Sequence, residues 1–351
     1  MAEIASQDAR ALFTKKLIDV YQERPAVKTF LRSLFPTVAG ATKELSIEVE
    51  RGTERVAVDV VRGTEGNRNQ WTRSTEKVFL PPYYREYFDA TQLDLYDRVI
   101  GSQANDNSDL FIDLMNKVSD KIGLLQDKID RAYELQCSQV LHTGIVQLTA
   151  GVNIDFKRKA TSIVDLTGAG GYWAAASDPF AQIAAGCDFL RKTGKSGDAM
   201  FNLILGSQAL ADLLANTKFL TRQNLFNMAL DQVVGPIRQG VGSAFHGVLT
   251  CGSYKVQLWT YPEFYEDASG VSQSYIDPKY AILVPTVPRF KLGFAAVPQL
   301  LNGRIKPEVR GAYVVGEYED QRNTAHIFDI KSAGVAIPVA VDQIYTMKAV
   351  A

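Results

Sequence analysis

The sequence predicts an α+β fold built around one very long helix and one extended β arm. Three observations carry this. Residues 44–50 and 55–61 alternate polar and apolar positions with period 2, the mark of half-buried strands, and 75–80 reads as a further short strand. Residues 108–142 repeat apolar side chains every three or four positions, over a length few globular helices reach. The rest mixes short strand-like and helical runs, and the final forty residues are rich in strands.

At 351 residues, 46% hydrophobic and 22% charged, the chain is long and apolar enough for a substantial core. A formal net charge of -1 argues against a global basic field for nucleic acid. Cys137, Cys187 and Cys251 are far apart and odd in number, so they form neither a CxxC pair nor a disulfide framework. They read as small core residues in a reducing compartment. The first residues lack a basic-then-apolar signal pattern, and no apolar run of about 18 residues suggests a membrane span.

Leu12, Phe13, Leu17, Val20 and Tyr21 give residues 6–22 helical spacing, which Pro25 interrupts. Phe30-Leu31-Arg32-Ser33-Leu34-Phe35 is a second apolar piece that ends at Pro36. The arm follows. Glu44–Glu50 and Arg55–Val61 read as a hairpin turned at Arg51-Gly52-Thr53-Glu54. A polar tip comes next, and Thr75–Leu80 forms a further strand. A two-stranded ribbon is marginal alone in water, so its apolar face requires another surface. Pro81 and Pro82 argue against a central strand, and residues 81–100 read as the return path to the body. Ser108 then caps the long helix, and Gly144 is its stop. About 35 residues span roughly 50 Å, the length of a strut.

Downstream, Val152–Phe156 is strand-like, and Asp178 caps a helix that has Pro179 at its first position. Phe201–Gly206 reads as a buried strand feeding a helix capped by Ser207. Residues 254–261 and 279–284 read as strands, followed by 312–318, 324–331, 333–339 and 343–348.

No catalytic, cofactor or metal residues are assigned. Gly168–Gly171 lacks the GK[ST] of a phosphate loop, and Gly206-Ser207 lacks the second glycine of a nucleophile elbow. His142, His246 and His326 are too separated for a local ligand motif. Asp89, Asp94 and Asp97 match no calcium loop and read as solvated surface. The residues singled out lie on the arm: Leu45, Ile47, Val49, Val56, Val58 and Val60 on its apolar face, Arg51, Arg55 and Arg62 as charged contacts, and Trp71 near the tip. Trp71 reads as an anchor in a neighbouring subunit, against the alternative of packing within its own arm.

The order of these parts resembles the major capsid proteins of tailed bacteriophages, and most closely the lambda-type capsid protein E family. The resemblance rests on Thr42–Ile47 following Phe30–Pro36, on the helix at 108–142, and on Asp178-Pro179-Phe180 opening an apolar helix. It rests also on Gly252–Trp259 through Tyr275–Leu283, and on Ser332–Val339 followed by Gln343–Met347. The resemblance implies an N-terminal arm at 1–43, an E-loop at 44–88, and a P-domain at 89–177 carrying the spine helix. It further implies an A-domain at 178–302 and returning P-domain strands at 303–351. It implies a non-enzymatic subunit that assembles in the host cytoplasm as hexamers and pentamers of a virion shell around double-stranded DNA. A separate scaffolding protein, a portal protein and a decoration protein are the expected partners, with DNA contacted non-specifically. Two other readings are an encapsulin-like nanocompartment shell and an α+β enzyme with an unrecognised site.

Overall fold

The computed structural model describes residues 27–40, 42–49, 75–91, 107–148, 153–167, 171–174, 177–225, 237–239, 242–267, 269–301, 304–309, 311–320 and 325–351. The predicted helix at 6–22 and the strand at 55–61 lie outside them. The described residues group into two units. One holds those of Tyr84–Arg131 and Tyr313–Lys331, and the other those of Thr29–Tyr83, Ala132–Ala312 and Ser332–Ala351.

In chain order, a single helical turn, Phe30–Ser33, precedes β1 (Thr37–Ala39) and β2 (Leu45–Val49). After these come β3 (Thr75–Phe79), β4 (Tyr83–Thr91) and the long helix Asn107–His142. The short β5 (Ile145–Val146), β6 (Ile154–Asp155) and β7 (Ile163–Asp165) lead to the helix Pro179–Lys192. Next are β8 (Met200–Leu205), the helices Ser207–Ala215 and Thr217–Leu225, β9 (Ile237–Gln239), β10 (Ser243–Cys251) and β11 (Tyr254–Thr260). Then follow β12 (Phe264–Glu266), β13 (Ser272–Ser274), β14 (Tyr280–Pro285), β15 (Phe290–Phe294), β16 (Val297–Leu301) and β17 (Arg304–Val309). The chain finishes with β18 (Val314–Asp320), β19 (Ala325–Pro338) and β20 (Tyr345–Lys348).

The larger unit centres on a seven-stranded sheet ordered β7-β20-β14-β8-β11-β10-β9. Its middle strands are the ones whose sequences read as unbroken apolar runs, because a strand covered on both faces has no polar alternation to show. Ala281, Ile282, Leu283 and Val284 are all fully buried. The helix Pro179–Lys192 covers one face, and Ile183, Cys187 and Leu190 join Leu203, Leu205, Leu283 and Met347 in one core. Asp178 starts that helix as expected: its carboxylate accepts from the backbone N–H of Phe180 at 3.1 Å and Ala181 at 3.3 Å. Trp173, fully buried and donating from Nε1 to Gln182 at 2.9 Å, closes the same core.

Several sequence expectations change. Ser207 is not a cap but the first helical residue; Gly206 occupies the cap position, and the N–H of Ala209 finds its acceptor in the Pro278 carbonyl at 3.0 Å. β10 was not foreseen, because a bulge between Phe245 and Gly247, where Gly247 takes φ +127°, breaks the alternation. β4 is a nine-residue strand where the prolines suggested an irregular return path. The two strands expected at 324–331 and 333–339 are one. Gly334, inside that strand, sits there because a side chain would strike the rings of Phe294 and Tyr133, each 2.8 Å from an added Cβ.

In the smaller unit, β4 and β18 both pair with β19, β18 through residues 325–331. The buried Asp329 carboxylate ties these strands together, accepting from Arg85 Nε and Lys331 Nζ, each at 2.9 Å. Phe88 stacks on Phe328 at 5.4 Å.

Candidate functional site

The arm enters and leaves the larger unit through β2 and β3. They pair antiparallel, with Leu45 opposite Phe79, Ser46 opposite Val78, Ile47 opposite Lys77, and Val49 opposite Thr75. Among the described residues β2 thus pairs with 75–79, a pairing not read from the sequence, because period 2 identifies a strand but says nothing of its partner. The hairpin partner expected at 55–61 lies outside the described residues.

The two faces of this ribbon differ. The inner face is tied to its own subunit. Leu45 is half-buried, and its methyl groups occupy the space that a Cβ at Gly40 or Gly293 would need, at 2.8 and 2.6 Å. Phe79 packs on Phe156 with ring centroids 5.2 Å apart. The outer face carries Ser46, Glu48, Glu76 and Val78, and its apolar residues lie at the base, where Leu80 adjoins Val78. Val78 and Leu80 are each 56% exposed, and Tyr83, two prolines later, is 52% exposed. Alternation put Val78 and Leu80 together on one face, but the sequence does not say which face is covered.

Of the residues singled out from the sequence, Leu45 is thus placed against its own subunit's backbone. Ile47 and Val49 lie on β2, with their side chains outside the described residues. Arg51, Arg55, Val56, Val58, Val60, Arg62 and Trp71 lie outside them too. Val78, Leu80 and Tyr83 were not singled out, although the run Val78-Phe79-Leu80 was visible.

The segment before β2 is held by a buried carboxylate. Glu134, on the long helix, has no solvent exposure. Its oxygens accept from the backbone N–H of Leu31 at 2.7 Å and of Arg32 at 3.0 Å. Thr29 supplies no side-chain cap, so Glu134 caps this turn from another element. Phe30 lies 5.6 Å from both Trp259 and Tyr261, and Phe35 stacks on Phe290 at 4.9 Å. Burial pushes the Glu134 carboxyl up to about 7, opposed by those two amides, the Tyr261 hydroxyl and the nearby Arg32 charge.

At the other end of that helix Gly144 adopts φ +74°, as a helix stop does. Arg158 closes the end, donating to the carbonyls of Leu141 at 2.9 Å and His142 at 3.1 Å. It also reaches the Ile344 carbonyl at 3.1 Å and Thr346 Oγ1 at 2.8 Å, joining the helix end to the last strand.

Other reactive side chains have structural settings. The three cysteines are buried and in no disulfide, and burial pushes the Cys187 thiol up to about 12. His142 Nε2 accepts from the Asp277 N–H at 3.3 Å, and burial lowers its pKa to about 4, so it is neutral near pH 7. His246 Nε2 pairs with Thr260 Oγ1 at 2.8 Å. Among the described residues no group of three or more His, Cys, Asp or Glu side chains is arranged to hold a metal ion. No helix among them is long and apolar enough to cross a membrane.

Comparison with known proteins places this architecture. No curated protein sequence matches the chain. Among solved structures, a prophage protein of E. coli CFT073 described as a capsid protein is similar, with a TM-score of 0.62 at 15% identity, covering 93% of this chain and 94% of its own. The mature capsid of bacteriophage PhiM1 is similar with a TM-score of 0.52 at 11% identity, covering 94% and 89%. At these identities the likeness establishes the fold. The holo-SrpI encapsulin of Synechococcus elongatus PCC 7942 scores 0.45 at 11% identity, covering 97% and 95%, too low to bear on the choice between kinds of shell. The model of one family, phage major capsid protein E, matches residues 13–340, taking in the arm, the long helix, β19 and every strand of the seven-stranded sheet but β20. With the fold and the sequence in agreement over that span, the chain belongs to the phage major capsid protein E family.

Proposed function

We propose that this subunit builds the icosahedral head of a tailed phage, as hexamers and pentamers enclosing packaged double-stranded DNA, and that it has no enzymatic role. The observation that carries the reading, beyond the family, is the ribbon at 45–49 and 75–79. One face is satisfied within the subunit, while the other presents Val78 and Leu80 to solvent. Covering those two side chains on a second copy contributes about 1 kcal/mol each at 25 cal/mol per Å². Contacts that weak suit a shell, where symmetry repeats each many times.

In this reading 1–43 is the N-terminal arm, 44–88 the E-loop, 89–177 with 303–351 the P-domain, and 178–302 the A-domain. Of the remaining arm residues, Ile47 and Val49 share the face of Leu45, and Arg51, Arg55, Val56, Val58, Val60, Arg62 and Trp71 supply further contacts with neighbouring subunits. Scaffolding, portal and decoration proteins are separate partners. With a net charge of -1 the subunit contains DNA without strong site-specific binding.

Negative-stain electron microscopy of the purified protein tests this directly. Closed shells or capsomers are expected, and a uniform small oligomer overturns it. Deleting residues 51–74 is expected to leave a folded subunit that forms no normal shells, and normal particles from that deletion remove the arm from assembly.

A further inference from the structure

We propose that Glu134 and the turn Phe30–Ser33 form a proton-dependent clasp, which holds the chain's N-terminal segment on its own subunit more tightly when the carboxyl is neutral.

The geometry places one titratable group where that segment joins the body. Glu134 is capped over by the residues it binds. Leu31 has no exposure and Phe30 only 8%. Holding this turn therefore means holding the carboxyl away from water. When the turn lifts away, Glu134 regains hydration and loses two amide donors. These effects oppose each other, and the desolvation is the larger, so the closed clasp binds a proton more tightly than the open one.

The surroundings allow both protonation states. From the turn comes Arg32, whose guanidinium lies 5.8 Å from the centre of the Tyr133 ring. From the chain after β11 comes the Tyr261 hydroxyl, itself influenced by Tyr275 and Glu263. One helical turn along lies Cys137, a buried thiol held neutral. Ionised, Glu134 accepts from both amides and from Tyr261. Neutral, it donates its proton to the Tyr261 oxygen and still accepts from the amides, because a phenol hydroxyl serves as donor or acceptor. Arg32 does not outweigh the burial, so among the described residues no cation locks Glu134 in its charged form.

The sign follows by linkage. A group whose pKa is raised in the closed state favours that state in acid, and the advantage is lost as pH rises through the raised value, here about 7.

Amide hydrogen exchange at Leu31 and Arg32 in the full-length subunit, from about pH 5.5 to 8.5 and corrected for intrinsic rates, measures the opening directly. Protection is expected to fall as pH rises through neutrality, by at most about tenfold per pH unit for a single proton. Glu134→Gln is expected to remove the pH dependence. Tyr261→Phe deletes a bond that is stronger to the charged carboxylate, and so moves the midpoint to higher pH. Protection in the wild type that does not change with pH overturns the proposal. So does a Glu134→Gln variant that keeps the wild-type slope. If that variant does not fold, an unmoved midpoint in Tyr261→Phe is decisive. The measurement uses unassembled subunits, so its failure is distinct from failure to form shells.

Discussion

The strand pair β2–β3 and the strand pair β14–β8 are both built from alternating or apolar sequence, yet they stand at opposite ends of the molecule's packing. β14 has both faces buried, so its apolar run is consumed by the fold. β2–β3 has one packed face, resting on Gly40, Gly293 and Phe156, while on the other Val78 and the adjoining Leu80 are left in water beside Ser46, Glu48 and Glu76. Strand chemistry serves stability where a helix covers it, and in the proposed reading the two exposed side chains at the base of the ribbon serve association.

The largest test of that contrast is to charge the open face. Val78→Asp with Leu80→Asp is expected to abolish shells while leaving subunit unfolding within about 0.5 kcal/mol of wild type, since both side chains are exposed. Size-exclusion chromatography and urea titration check the two halves. A large loss of subunit stability would mean the face is already used internally.

The mirror experiment cuts the closed region. Trp173→Ala is expected to cost about 4 kcal/mol by emptying a fully buried site. Arg158→Met, which leaves the carbonyls of Leu141, His142 and Ile344 without their donor, is expected to cost about 3 kcal/mol. Both are read from chemical denaturation of the subunit.

Smaller effects sharpen the boundary between the regions. Gly293→Ala puts a Cβ 2.6 Å from Leu45 Cδ1 and is expected to cost about 1 kcal/mol. Adding Leu45→Ala removes that clash, so the double variant is expected to fall short of the sum of the two singles.

The least effect is on pH dependence. Glu134 contributes stability that is whole below about 4.5 and lost as pH rises through about 7. His142 does the opposite, contributing above about 6.5 and losing it as pH falls through about 4. The two oppose each other in the acid range. His142→Gln, which keeps an acceptor for the Asp277 amide, is expected to tilt the stability profile so that it falls more steeply from about pH 4.5 to 7, followed by thermal unfolding.

How much was legible follows from the range of the interactions. The long helix, read as 108–142, is Asn107–His142, in which Ser108, read as its cap, is the second helical residue; the match is close because a 3.6 period and the Gly144 stop are local. Asp178-Pro179 announced its helix for the same reason. Ser207 misled, because a serine before an apolar run is a cap only if no other group claims the amides, and Pro278 does. Val78 and Leu80 were visible as strand residues but not as surface, since exposure depends on what the fold leaves uncovered. Glu134 lies unremarkably on a helical stretch and becomes notable only when a segment about one hundred residues earlier is laid over it.

By itself, then, the sequence determined the α+β class, the long helix, the strand character of 45–49 and 75–79 and the family. These rest on periodicity within a few residues, or on the order of parts along the chain. Only the tertiary structure decided that 45–49 pairs with 75–79, that Leu45 faces inward while Val78 and Leu80 face out, and that Glu134 clasps the N-terminal segment. Each of these joins residues distant in sequence, and a pattern of hydrophobicity cannot say which distant surface will cover it.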